Sequence, residues 1–285
     1  MADVECVWPA RAILGEGPIW SARDSALYWV DIKAPALHRL TLATGERTSW
    51  PLPDRTGWVI ERQQKPGFII GTKGGFAELC IDPFELHPIG DPEPDFPGNR
   101  MNDAKADKSG RIWAGTMDDA EEEERGSLWR LDPDLRWHRA DTGYLVTNGP
   151  AFSPDFKTLY HTDSGKRVIY RFDLQEDGSL SGKTPFIEFA PDWGYPDGMT
   201  IDSEGALWVA HWGGGQISRF DPDGKRMLSI KIPVSQPTSC AFAGPNLDRL
   251  FITSARIGKE DEELAGALFE TDPGVRGLPP AQFAG

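Results

Sequence analysis

The sequence predicts an all-β fold: a six-bladed β-propeller formed by residues 1–285 as a single domain, its ring closed by the N-terminal strand. Three observations carry that expectation. An apolar strand rich in β-formers recurs six times, with anchors Leu27, Ile69, Ile112, Leu159, Leu207 and Leu250 lying 42 to 48 residues apart. Each copy has room for four short strands, the content of one propeller blade. One strand is also displaced, because the last copy lacks its outer strand while a spare one, VECVWPA (4–10), precedes the first copy.

The elements follow in order within each unit. The anchor strands are ALYWVD (26–31), GFIIGT (67–72), RIWAGT (111–116), TLYHTD (158–163), ALWVAH (206–211) and RLFITS (249–254). A further strand follows each: LHRLTL (37–42), FAELCI (76–81), LWRLDP (128–133), IYRFDL (169–174), ISRFDP (217–222) and ALFETD (267–272). Several run into ATGE, DPD, EDGS or DPDGK, where Gly and Asp accept the backbone angles of hairpin turns. Outer strands come next, as ERTSWPL (46–52), ELHPIG (85–90), RWHRAD (136–141), TPFIEFA (184–190) and MLSIKIP (227–233). The sixth is missing where the chain ends in GLPPAQFAG. Closing the ring through residues 4–10 supplies it and removes two free sheet edges. A β-solenoid would use shorter repeats and capped ends.

The inner strand precedes each anchor, and there four polar residues fall in register. Glu16, Asn102, Asn148 and Asp197 open EGPIW, NDAKA, NGPAF and DGMTI. In a ring of repeats, equivalent positions converge on the axis, so these four should meet. Two carboxylates and two amides make an all-oxygen pocket that suits a hard divalent cation. Each could instead serve only a turn, since Asn-Gly, Asp-Gly and Glu-Gly pairs form turns. Converging carboxylates repel unless a cation neutralises them, which favours the metal reading. The second and sixth units offer Trp58 and Pro237 near this register, so the ring is uneven and the site open on one side.

Composition narrows the function. A net charge of −14 offers no basic stripe for nucleic acid or for an anionic membrane surface. No apolar run suits a signal peptide or a spanning helix, so a cytoplasmic protein is expected. Cys6, Cys80 and Cys240 are odd in number and widely spaced, and are expected to be buried and reduced. The run Asp118 to Glu124 is expected to be a solvated loop, and Gly213 to Gly215 a loop as well. There is no nucleophile elbow, H-E-x-x-H, Walker loop or dinucleotide fingerprint. The five histidines share no ligand spacing, and His161 and His211 are expected to be structural or at most to line a pocket.

The stretches LGEGPIW (14–20), LYWVDI (27–32), RMNDAKADKSGRIWAGTM (100–117), TNGPAFSPDFKTLYHTDS (147–164) and PDGMTIDSEGALWVAHWGG (196–214) resemble the gluconolactonase/regucalcin (senescence marker protein) family over nearly the whole chain. The resemblance implies one divalent cation (Ca²⁺, Zn²⁺, Mn²⁺, Mg²⁺ or Fe²⁺) held by Glu16, Asn148 and Asp197. It implies that Arg100 and Asn102 contact a sugar lactone and that Asp197 is the catalytic acid/base. In animal members an acidic residue shortly after the GTM tripeptide also holds the sugar. Here the strict register puts Ala120 there, with Asp119 and Glu121 beside it, so the contact is not assigned.

Three functions are weighed. The first is a metal-dependent sugar lactonase of carbohydrate breakdown, opening an aldonolactone to its acid. The second is a phosphotriesterase or aryl-esterase-like hydrolase, expected to wall its pocket with Trp and Phe. The third is a non-catalytic metal-binding regulatory or scaffold propeller, which gives Asp197 no reason to face the channel.

Overall fold

A computed structural model describes residues 3–285. Six four-stranded antiparallel sheets follow one another around a ring, and their inner strands touch in cyclic order, first to second and sixth back to first. The inner strands are Gly15–Ser21, Thr56–Glu61, Asn99–Ala106, Thr147–Phe152, Tyr195–Ile201 and Pro237–Ala243. Every anchor strand pairs outward of one of these, as the repeat requires.

Closure occurs where the displaced strand indicated. Val4–Trp8 pairs antiparallel with Leu268–Thr271, from Val4 opposite Thr271 to Trp8 opposite Leu268, and becomes the outer strand of the sixth blade. Trp8 then meets the first blade, edge-on to Trp29 at 5.5 Å and to His38 at 5.3 Å.

The core lies between blades. One apolar cluster joins Tyr28 and Val30 of the first blade to Val59, Phe68 and Ile70 of the second. Another joins Trp20, Leu27 and Trp29 to Phe251 and Leu268 across the closure. This is why the anchor strands read apolar on both faces: each face of a blade packs on a neighbour. Buried turns are polar but satisfied. In the third and fifth blades an aspartate accepts the indole N–H six residues on, Trp113 Nε1 to Asp107 at 2.9 Å and Trp208 Nε1 to Asp202 at 2.8 Å. Arg111 and Arg219 each donate Nε to the same carboxylate at 2.7 Å.

The C-terminal tail, left without a strand by the repeat, crosses the far end of the channel. Phe283 is fully buried, its N–H donates to the Glu61 carbonyl and its carbonyl accepts from Gln63 N–H. Among the described residues no helix is long and apolar enough to cross a membrane. Cysteine burial differs from expectation. All three thiols are free, but only Cys240 is buried; Cys6 and Cys80 lie on outer positions of their blades and are half-buried.

His161 is fully buried, edge-on to Tyr144 at 4.8 Å, and neither ring nitrogen has a protein partner. Desolvation pushes its pKa down to about 3. Below about pH 6.5 the unfolded chain binds a proton that the folded chain refuses, so stability falls as pH drops from there towards about 3. His161→Leu should lose less stability than the native protein over that window while matching or exceeding it at pH 7. Urea unfolding at several pH values checks this, and parallel pH profiles would show that His161 stays charged in the fold.

Candidate active site

Each of the six inner strands carries a register shift at the ring position, between Glu16 and Ile19, Thr56 and Trp58, Met101 and Ala104, Asn148 and Ala151, Pro196 and Met199, and Pro237 and Ser239. Such bulges bend a strand and re-aim a side chain. Gly17 and Gly149 supply the positive φ this needs, at 56° and 77°. The bulge is therefore the local device that turns Glu16, Asn102, Asn148 and Asp197 towards the axis.

These four and Arg100 line one cavity of about 580 Å³ at the mouth of the channel, together with Leu14, Lys33, Glu121, Ser164, Tyr195 and Trp212 among others. Trp58 instead lies inside the second blade, with its indole over Gly71.

The two carboxylates are almost wholly buried, Glu16 at 4% and Asp197 at 6% exposure. Desolvation raises the pKa of both. The Asp103 carboxylate adds to the rise at Glu16, as Glu16 and then Asp103 do at Asp197. Each spends one oxygen on the next glycine: Gly17 N–H donates to Glu16 Oε2 and Gly198 N–H to Asp197 Oδ1, both at 2.9 Å. The second oxygen of each has no protein donor among the described residues. Asn148 gives its Nδ2 to Ser164 Oγ at 2.8 Å, which leaves its oxygen facing the same space. Two buried carboxylates and an amide oxygen lining one cavity form a donor set that fits a hard cation. Among the described residues no three His, Cys, Asp or Glu are grouped to hold a metal, and the donor set here counts an amide oxygen as its third member.

Asn102 is placed to orient rather than to ligate. Its Nδ2 donates to the Thr147 carbonyl at 2.5 Å and to Asn148 Oδ1 at 3.1 Å, while its Oδ1 accepts from Arg100 at 2.5 Å. Arg100 is buried, and desolvation lowers its pKa to about 10, still cationic at neutral pH.

The acidic run is not uniformly solvated. Glu121 to Glu124 are exposed, but Asp118 is buried and accepts the Glu122 N–H at 3.1 Å. The pair beside the GTM tripeptide also divides. Asp119 accepts Arg100 Nε at 2.9 Å and pairs with Arg55, whereas Glu121 lines the cavity at a φ of 61°.

Sequence reasoning missed Asp103. Where three blades place a glycine after the ring residue (Gly17, Gly149, Gly198), the third blade places this aspartate, and that break in register was the available signal. Asp103 is 1% exposed, and its carboxylate accepts Gly149 N–H at 3.0 Å and Ala104 N–H at 2.7 Å. It thereby holds the turn that presents Asn148. Asp103→Ala should weaken cation affinity about 10–100-fold, the usual cost of losing an outer partner, with Asp103→Asn keeping much of it. Calorimetric titration would show this; native affinity in the alanine variant would free Asn148 from that dependence. Ser164, which also donates to the Pro196 carbonyl at 2.5 Å, was missed because nothing in TDS distinguishes it from turn chemistry.

A sequence model of the SMP-30/Gluconolactonase/LRE-like region matches residues 14–256. The chain is 37% identical to the 6-deoxy-6-sulfogluconolactonase of Pseudomonas putida over 288 residues, covering 99% of each. It is 34% identical to the L-arabinolactonase of Azospirillum brasilense, covering 96% of this chain and 93% of that one. Among solved structures, a calcium-binding protein, regucalcin, from Agrobacterium tumefaciens superposes with a TM-score of 0.93 at 28% identity, covering 99% of this chain and 97% of that one.

Proposed function

The chain belongs to the SMP-30/gluconolactonase/LRE-like family, and we propose that within it this protein is a metal-dependent sugar lactonase that opens an aldonolactone to its aldonic acid. The observation that carries the reading is the single cavity in which Glu16, Asn148 and Asp197 face Arg100 and Asn102. Glu16, Asn148 and Asp197 are the residues that would hold the cation. When bound, the cation supplies Lewis-acid polarisation of the lactone carbonyl.

The chain's own residues do the rest. Arg100, held by Asp119 and Asn102, offers a fixed positive charge to a polyhydroxylated substrate and to the carboxylate product. Glu121 accepts sugar hydroxyls from the cavity wall. Asp197 takes a proton from the attacking water as its oxygen bonds to the carbonyl carbon. The acyl C–O bond of the ring then breaks, and the ring oxygen leaves as a hydroxyl carrying that proton. Relatives named 6-deoxy-6-sulfogluconolactonase and L-arabinolactonase support this substrate class.

The lining also bears on the aryl-ester alternative. It includes one Trp and one Tyr against five carboxylate, guanidinium and ammonium groups and two amides on the polar side, which suits hydroxyls better than an aromatic ring. Three free thiols are in keeping with a reducing, cytoplasmic setting. A panel of aldonolactones under pH-stat, with each of Ca²⁺, Mg²⁺, Mn²⁺ and Zn²⁺, tests the proposal. Acid release that depends on a cation is the expected result, and none with any pair would leave a binding protein.

A further inference from the structure

Lys33 lies in the turn between strands Ala26–Asp31 and Ala36–Thr41 of the first blade and reaches the site cavity. The turn is tightly held. Asp31 Oδ1 accepts the N–H groups of Lys33 at 3.1 Å, Ala34 at 3.0 Å and Leu14 at 3.1 Å, and its Oδ2 accepts that of Ile13 at 2.8 Å. The backbone launching Lys33 is therefore fixed relative to the strand that carries Glu16.

Three cations from three blades meet one carboxylate there. Arg100 Nε lies 2.9 Å from Asp119 Oδ1 and Arg55 pairs with Oδ2, so both oxygens are engaged by guanidinium groups. Lys33 Nζ stands 3.7 Å from Oδ1, its one ion-pair contact among the described residues, and its side chain is 22% exposed. Burial, and then the positive charges of Arg100 and Arg55, lower its pKa, while Glu121 opposes them. Lys33, Arg55 and Arg100 gather here facing Asp119 and Glu121, while Asp31 is spent on backbone N–H groups at the base of the turn. Three cationic heads so close together are unusual on a chain of net charge −14, and Lys33 and Arg100 line a cavity large enough for a substituted sugar.

We infer that the substrate is a lactone carrying an anionic substituent (a sulfonate, phosphate or carboxylate) on the carbon chain away from the ester, and that Lys33 is the specificity residue that holds it. The inference rests on the lactonase reading above. Asp119 is already engaged by two guanidinium groups, and Lys33 is the cation with the weakest competing partner.

The test compares matched hexonolactones bearing a hydroxyl, sulfonate, phosphate or carboxylate at the terminal carbon, in the native protein, Lys33→Met and Lys33→Arg. The native protein should favour at least one anionic lactone in kcat/KM. In Lys33→Met the ratio of anionic to neutral kcat/KM should fall about ten- to a hundredfold, the value of a charge-assisted contact, mostly through KM. Lys33→Arg should recover part of the ratio, and added salt should shrink the native preference. A structural role for Lys33 would lower both substrates together, and an unchanged ratio overturns the inference. A native protein that opens the neutral lactone but no anionic one faster overturns it too. One that opens no lactone with any cation overturns the lactonase reading, and this inference with it.

Discussion

Asp197→Asn is expected to lower lactone turnover at least about a hundredfold at saturating cation, the lower end of what loss of a general base costs. Asparagine keeps the shape and one oxygen ligand while removing a negative charge and the proton acceptor. Without a cation, burial and then the neighbouring Glu16 and Asp103 raise the proton affinity of Asp197. Cation affinity should weaken as well, so calorimetry must fix the saturating concentration before turnover is compared. Near-native turnover under those conditions would reduce Asp197 to a ligand and place the base elsewhere.

Deleting residues 1–10 should destabilise the whole protein. The strand Val4–Trp8 supplies the outer ladder of the sixth blade and is tied in further by Thr271 Oγ1 donating to the Asp3 carbonyl at 2.9 Å. It also carries Trp8 against Trp29 across the closure. Ladder bonds at about 1 kcal/mol each and a largely buried tryptophan at about 2 kcal/mol suggest a loss of roughly 5 kcal/mol. For a chain of this size that is a fall in melting temperature of about 10–20 °C. We propose that residues 1–285 form one domain, so the loss should appear as a shift of a single transition in calorimetry. A truncated chain that melts where the native one does would mean that the ring does not depend on its closing strand.

Much of the fold was legible because a repeat is local information copied. Anchors such as Leu27 and Leu207 announce a strand by their apolar neighbours, and the spacing between copies announces a blade. The stray strand at residues 4–10 was legible because the last copy lacked one. The tail was not, since GLPPAQFAG has no strand pattern and its place is set by the burial of Phe283 under the channel. The same logic divides the site. Glu16, Asn102, Asn148 and Asp197 could be placed together from sequence because the ring makes equivalent positions neighbours.

Position in the repeat says nothing about which neighbour a side chain will choose. That Asn102 turns its amide to Asn148, leaving its oxygen for Arg100 on its own strand, was decided only when two inner strands packed side by side. That Asp119 is spent on arginines while Glu121 faces the cavity depended on Arg55 and Arg100 arriving from different blades. Asp103 was visible as an aspartate among glycines, yet its bond to Gly149 exists only between blades. Strand order and ring position follow from periodic hydrophobicity, which each segment carries in itself. Charge partners follow from distance, and residues 33, 55, 100 and 119 come within reach of one another only after the blades have closed.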